Sequence, residues 1–308
     1  MRVAIIDLGT NTFNLLIVEI NSDNTYNHIF QTKISVKLGE GGINKAIVAP
    51  APFQRGIDAL LTYKKIIEEY NAEKIVAFAT SAIRSASNGS EFVEKVKEEI
   101  NIDVRVISGD KEAELIYCGV RDAVEMNDNV SLIIDIGGGS TEFIIANKNK
   151  IFWKQSFLLG AARLLELFDP SDPITDKEVS ELTKYLQKEL QPLFEAIKKN
   201  PICELIGSSG SFDSLAEMIA HRFYSPHILD DKTEYTFNLD DCEAIYNSIL
   251  SSTKEERLKM KGLVAMRVDM MVISSILVNF ILTSFDIKKM RLSTYSLKEG
   301  ILYQLMNE

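Results

Sequence analysis

Residues 133–146 read IIDIGGGSTEFIIA, and residues 5–18 read IIDLGTNTFNLLIV. Each stretch is an apolar run ending in an aspartate, then a polar or glycine-rich turn, then a second apolar run, which is the pattern of a β-hairpin. In register, Asp7 falls on Asp135, Gly9 on Gly137, Thr12 on Ser140 and Asn14 on Glu142. An internal repeat of this kind predicts two domains built from one unit and facing each other across a cleft. An aspartate at the mouth of a buried strand is costly unless something pairs with it. Three consecutive glycines, Gly137, Gly138 and Gly139, lose more chain entropy than an ordinary turn requires. Both costs point to a ligand.

Outward from the two hairpins, strands are predicted at 3–6, 13–20, 75–79 and 104–107, and helices at 53–70, 90–100 and 112–124. The strand at 131–135 restarts the programme, followed by strands at 141–146 and around 151–155. A charged helical stretch lies between residues 172 and 200, with Pro192 predicting a kink or a break. A strand at 203–207 runs through the serines of GSSGS into a helix starting near Phe212. The remainder reads as helical, with one strand at 289–293 and a terminal helix from Leu297. The expected fold class is α/β, with mixed sheets in two domains. The first spans 1–124 and is joined by the helix at 297–308; the second spans 125–296.

The chain has 308 residues, 46% hydrophobic and 25% charged, as in a globular protein with one or two buried cores. No charged leader with an apolar block and cleavage site is read at the start, so the expectation is a cytoplasmic protein. Cys118, Cys203 and Cys242 are far apart and form no ligand spacing, so they are expected to be buried, inert thiols. The apolar run at 268–285 is interrupted by Asp269, Ser274, Ser275, Asn279, Thr283 and Ser284, which favours a buried helix over a membrane span. A second use of its apolar face, around 270–282, would be a homodimer interface. With 44 acidic against 34 basic residues the net charge is −10, which argues against field-driven nucleic-acid binding. A polyanionic ligand must therefore meet local cations or a metal.

A glycine-rich loop between a strand and a helix would indicate a dinucleotide fold, but here the element after Gly139 is a strand. No Gly-Lys-Ser or Gly-Lys-Thr follows a glycine run, so a P-loop is also excluded. What remains is a hairpin turn exposing backbone N–H groups to an anion, with Ser140, Thr141, Thr10, Asn11 and Thr12 as further donors. Carboxylates beside phosphate make sense with a hard cation between them, Mg²⁺ or Mn²⁺, held directly or through water. Asp7, Asp135 and Glu142 are the candidate ligands. Either aspartate alone could cap its own turn, but their matched repetition favours the metal. Gly207, Ser208 and Gly210 stand where a helix N-terminus favours an anion. Arg84, just past a buried strand, is placed to hold phosphate bidentately.

The motifs IIDLGTNTFNLLI, KLGEGG, ATSAIRSASN, VISGDKEAELIYCGV, LIIDIGGGSTEFII, LLGAARL, LIGSSGS and LSTYSLKEGIL, in this order, resemble the exopolyphosphatase and guanosine pentaphosphate phosphohydrolase family. That family belongs to the actin-like ATPase superfamily, so the resemblance implies two actin-like (ribonuclease H-like) domains. It also implies that Glu112 orients or deprotonates the attacking water. By the same resemblance Arg84 binds phosphate, Asp135 and Glu142 belong to the second phosphate loop, Thr10 and Asn11 to the first, and Gly207, Ser208 and Gly210 to the third. Arg267 matches an arginine near the family's ligand cleft. Lys37 replaces the usual arginine of KLGEGG, KGLVAMRVD lacks common prolines, and Ser296 stands where many members carry glycine or alanine. The C-terminal helical domains of the longer exopolyphosphatases have no counterpart up to Glu308, which implies a short form.

The expected function is metal-assisted hydrolysis of a terminal phosphoanhydride of inorganic polyphosphate, guanosine pentaphosphate or both. The alternatives are a regulatory protein that binds alarmone or polyphosphate with little hydrolysis, and a small-molecule kinase of the same superfamily.

Overall fold

The computed structural model describes residues 1–23 and 25–307. Its first half opens with three antiparallel strands, β1 (Arg2–Leu8), β2 (Thr12–Ile20) and β3 (Tyr26–Ser35). Helix α1 (Pro50–Glu69), strand β4 (Lys74–Ala79), the short α2 (Ser81–Ser85), α3 (Gly89–Ile100), β5 (Val104–Val106) and α4 (Gly109–Ala123) follow. The second half repeats the opening with β6 (Ser131–Ile136), β7 (Thr141–Ala146) and β8 (Ile151–Phe157). Helices α5 (Ala161–Phe168), α6 (Asp176–Glu189) and α7 (Gln191–Lys199) then lead to β9 (Glu204–Ser208) and α8 (Gly210–Phe223). Strand β10 (Glu234–Thr236), helices α9 (Leu239–Ser251), α10 (Lys254–Arg257) and α11 (Met270–Ser284), strand β11 (Met290–Ser293) and α12 (Leu297–Asn307) complete the fold.

The strand orders are β3-β2-β1-β4-β5 and β10-β11-β9-β6-β7-β8. Reversed, the second sheet maps onto the first strand for strand and adds β10 at its edge. In each half three antiparallel strands are followed by parallel ones. The repeat therefore extends well beyond the two hairpins, and the fold is the expected α/β pair of ribonuclease H-like units with mixed sheets.

Two strands escape sequence reading. The polar, half-exposed β3 is an edge strand with a bulge opposite Ile17 and Val18, and β10 is three residues long on the opposite sheet's edge. Helix α1 starts at Pro50, earlier than predicted, because proline suits a first helical position whose N–H has no partner. The helical stretch before β9 breaks at Leu190, just ahead of Pro192.

Strand alternation decides what faces the cleft. Ala4, Ile6 and Leu8 pack outward under α1 and α3, whereas Val3 and Ile5 turn inward toward the other half. Leu132, Ile134 and Ile136 join the outer core of the second half, and Ile133 turns inward. Asp7 and Asp135 follow Ile5 and Ile133 at two-residue spacing, so both carboxylates point inward. Between the sheets lie α4 and α12, whose Leu115, Ile116, Val120, Leu297 and Ile301 fill a shared core with Val3, Ile133 and Ile206. The two helices cross at glycines: a Cβ on Gly300 would stand 1.8 Å from Leu115 O, and one on Gly119 2.2 Å from Ser296 O. This floor fixes the first turns of α4 and α12 relative to each other.

The apolar face of α11 is covered within the chain, with Ile273, Ile276, Leu277 and Ile281 buried. This is the core burial expected of the run at 268–285. Among the described residues no helix is long and apolar enough to cross a membrane. The thiols also differ from expectation: Cys242 is buried, Cys118 is intermediate and Cys203 is exposed just before β9.

Candidate active site

The two inward aspartates sit at equivalent ladder positions. Asp7 faces Asn14 across β1 and β2, and Asp135 faces Glu142 across β6 and β7. Asn14 Nδ2 donates to Asp7 Oδ2 at 2.9 Å, and Ser208 Oγ donates to Asp135 Oδ2 at 3.0 Å. Glu142 Oε1 accepts from Ser156 Oγ at 2.6 Å. Burial pushes the Asp7 carboxyl up to about 7 against the opposing pull of Asn14 and Lys298. Burial likewise raises Asp135, and raises Glu142 with the Asp135 charge adding to it.

The turn at 137–140 is held from behind by α5. Ala161 N donates to Gly137 O at 2.9 Å, Ala162 N and Arg163 N to Gly138 O at 2.9 and 3.0 Å, and Arg163 Nε to Gly139 O at 2.9 Å. In a trans peptide the C=O and the following N–H point in opposite directions. With three carbonyls turned to α5, the N–H groups of Gly138, Gly139 and Ser140 are turned toward the cleft. The first turn is built alike: Gly39 N donates to Thr10 O at 3.2 Å, and Val36 N and Lys37 N donate to Asn11 O at 3.0 and 2.9 Å. The two turns press together, since a Cβ on Gly138 would lie 3.2 Å from Thr10 Cβ and one on Gly139 2.5 Å from Thr10 Oγ1. The glycines are thus required by the opposing turn as well as by any ligand.

Glu112 lies in the first turn of α4, whose N-cap Ser108 accepts from Lys111 N at 3.1 Å. Arg84 Nη1 donates to Glu112 Oε2 at 2.7 Å and to Ile107 O at 3.1 Å. Burial lifts the Glu112 carboxyl well above its usual range, the Glu142 charge adds to this, and Arg84 opposes it. The arginine expected to hold phosphate and the carboxylate expected to align water are therefore ion-paired at the cleft wall.

On the far side, Arg267 lies directly over Gly210, where a Cβ would meet its guanidinium at 1.4 Å. A side chain at Gly210 would require the Arg267 guanidinium to move. Gly207 answers to packing, because a Cβ would meet the Phe212 ring at 2.0 Å. Thr141 is fully buried and its hydroxyl donates to Leu159 O at 2.9 Å, while Ser208 is fully buried against Asp135. Gly207, Ser208, Thr141, Arg84 and Glu142 stand behind the residues that line the cavity. The cavity, about 200 Å³, is lined by Asp7, Thr10, Asn11, Glu112, Asp135, Gly137, Gly138, Gly139, Ser140, Gly210 and Arg267 among others.

Sequence reading missed four contributors. Lys298, at the start of α12, lines the cavity and pairs with Glu299 at 2.7 Å. Its place within LSTYSLKEGIL was the available signal. Asp213 is raised to about 6 by burial, with Arg267, Lys298 and Lys33 opposing. Lys33 comes from β3, the strand that was not predicted. Ser81 Oγ is buried beside the turn, 2.7 Å from where a Gly139 Cβ would stand, and has no hydrogen-bond partner among the described residues.

A hard divalent cation fits this donor set in one form. Among the described residues no three acidic, cysteine or histidine side chains converge on one point, so a closed protein cage is absent. Asp7, Asp135 and Glu142 nevertheless surround the turns with carboxyls whose charge is unfavourable as they stand. Mg²⁺, which keeps water and phosphate ligands beside one or two carboxylates, suits such an open arrangement.

Two facing hairpin turns with inward amides, buried carboxylates and flanking arginines frame a cleft between ribonuclease H-like units. The chain belongs to the Ppx/GppA phosphatase family, which it matches over residues 16–308. It is similar to the crystal structure of an exopolyphosphatase from Cytophaga hutchinsonii, at 40% identity and TM-score 0.95 over 100% of this chain and 98% of that one. It is also similar to the Aquifex aeolicus Ppx/GppA family member, at 27% identity and TM-score 0.81 over 100% and 98% of the two chains. The bifunctional 3-dehydroquinate synthase/phosphatase of Fusobacterium nucleatum is 32% identical over 92% of this chain, which spans 43% of that longer protein.

Proposed function

We propose that the chain is a Mg²⁺-assisted phosphoanhydride hydrolase that releases the terminal phosphate of inorganic polyphosphate, guanosine pentaphosphate or both. The observation that carries this reading is the pair of amide-lined turns set against the Glu112 carboxylate across one small cavity. Phosphoryl transfer depends mainly on positioning and charge stabilisation. In this reading the N–H groups of Gly138, Gly139 and Ser140, with Ser81 and Thr10, hold the terminal phosphoryl oxygens. Arg84 swings from Glu112 onto the phosphoryl as substrate enters. Glu112, freed and with a raised proton affinity, orients a water and takes its proton as the oxygen attacks phosphorus and the bridging oxygen departs. Mg²⁺, which would be held by one or two of Asp7, Asp135 and Glu142 together with water, would supply charge neutralisation at the phosphate oxygens. The kinship with an exopolyphosphatase of high structural similarity supports polyphosphate as substrate.

Beyond Arg267 the cleft continues into a space of about 480 Å³ lined by Lys33, Asp213, Leu263 and Leu292, which offers room for the remainder of a substrate. Phosphate release from short polyphosphate, long polyphosphate, guanosine pentaphosphate and ATP, each with Mg²⁺, tests the reading and ranks the substrates. Release from one of the first three is expected. Tight binding of all of them without release would instead favour a regulatory binder, and transfer of phosphate from ATP to an acceptor a kinase.

A further inference from the structure

The motif LLGAARL, residues 158–164, has no part in the reaction scheme above, yet its glycine and arginine are tightly constrained. Gly160 caps α5 with its Cα against the turn: a Cβ there would stand 2.4 Å from Gly138 C and Gly139 N. Only glycine lets the first turn of α5 approach closely enough to take the carbonyls of Gly137 and Gly138. Among the described residues no backbone N–H bonds the third carbonyl, and Arg163 takes it with Nε at 2.9 Å.

The same guanidinium then crosses to the other half. Arg163 Nη1 donates to Ile43 O at 2.8 Å and Nη2 to Ser85 Oγ at 3.4 Å. Around it, Asn44 Nδ2 donates to Arg163 O at 3.1 Å and Gly41 N to Glu166 Oε2 at 2.9 Å. Arg163 is 8% exposed, and the nearby charge of Glu166 only partly offsets its burial. Burial lowers its proton affinity. A buried arginine spent wholly on carbonyls and a hydroxyl is costly unless the geometry it fixes matters.

We infer that Arg163 is a positioning residue for phosphoryl transfer: it turns the Ser140 amide into the cleft by holding Gly139 O, and ties that orientation to seating of the 39–45 segment. The inference rests on the phosphatase reading for its kinetic consequence, but not for its structural one. Without the Arg163 bond the Gly139–Ser140 peptide is free to rotate, and the third amide of the anion site is lost.

The test combines steady-state phosphate release from short polyphosphate with ¹⁵N order parameters of the Gly138, Gly139 and Ser140 amides, for wild type, Arg163→Gln, Arg163→Lys and an Asn44→Ala/Glu166→Gln pair. Arg163→Gln is expected to lower kcat by about 10²-fold with far less change in KM, as a misplaced site does. It should also lower the order parameter of the Ser140 amide from about 0.85 toward about 0.6. Gly138 and Gly139 should stay rigid, because the carbonyls before them remain bonded to the backbone N–H groups of Ala161, Ala162 and Arg163. Arg163→Lys, able to hold one carbonyl at a time, should fall between, and carries the test if the Gln variant does not fold. The rim pair leaves the Gly139 bond in place, so its Ser140 amide should stay as rigid as in wild type. Wild-type kcat and a rigid Ser140 amide in Arg163→Gln would overturn the inference. So would a loss of order spread evenly over β6, β7 and α5 with a matching loss of thermal stability. If wild type releases no phosphate from any substrate, the phosphatase reading fails, while the order parameters still decide the role of Arg163.

Discussion

The turn at residues 9–12 carries Thr10, Asn11 and Thr12, and its counterpart at 137–140 carries three glycines and a serine, although both present their amides to one cleft. In the first, the carbonyls are held by the backbone of residues 36–39; in the second, by the start of α5 and the Arg163 side chain. The difference is steric. The second turn is squeezed between the first turn in front and Gly160 behind, leaving no room for side chains. Two copies of one unit have diverged so that one turn supplies side-chain donors and the other supplies the space for them. Their aspartates have diverged too, since Asp7 is tied to Asn14 and Asp135 to Ser208, with Glu142 opposite.

The comparison sharpens first at the carboxylates. Asp135→Asn should reduce phosphate release more than Asp7→Asn, because Asp135 has Glu142 beside it and Asp7 has only an amide. Titration of activity with Mg²⁺ should show the larger shift for Asp135→Asn, and equal shifts would break the asymmetry. Next comes the fit of the turns. Gly139→Ala should destabilise the protein by about 1–3 kcal/mol through overpacking. Combining it with Thr10→Gly should recover part of that loss, a coupling of about 0.5–3 kcal/mol measurable by denaturant unfolding. Strict additivity would mean that the turns do not press on each other.

A smaller effect concerns pH. Burial carries Asp7 from 3.8 to about 7, so the folded chain holds a proton that the unfolded chain gives up. Its contribution to stability is complete below 3.8 and is lost as the pH rises through about 7. In the metal-free protein Asp7→Asn should therefore flatten the stability curve across that window, and an unchanged slope in thermal unfolding would count against it. Smallest of all, Cys203→Ser at the exposed thiol should leave stability within about 0.5 kcal/mol and activity unchanged.

The fold was legible where periodicity was clean. The paired hairpins disclosed the repeat, and strand alternation then pointed both aspartates inward. Edge strands such as β3 were not legible, because half-exposed strands lose the alternation that marks buried ones, and Lys33 was lost with it. Glu112 and Arg267 were reached through the family resemblance, since a glutamate in a first helical turn has ordinary uses, whereas Arg84 was also singled out by its place after a buried strand. Gly207 and Thr141 were read as ligand contacts, and they stand behind the residues that line the cavity, a depth that a motif does not record. Arg163 and Lys298 lay within LLGAARL and LSTYSLKEGIL, but their contacts, like those of Asp213, reach segments far apart in the chain, which a local pattern does not assign.

The most direct measurement of the central claim is single-turnover phosphate release by Glu112→Gln beside wild type, with substrate binding followed by calorimetry in parallel. A fall of about 10²–10⁴-fold in release with nearly unchanged binding is expected of a residue that activates the attacking water. Loss of binding in proportion to release, or release at the wild-type rate, would contradict it.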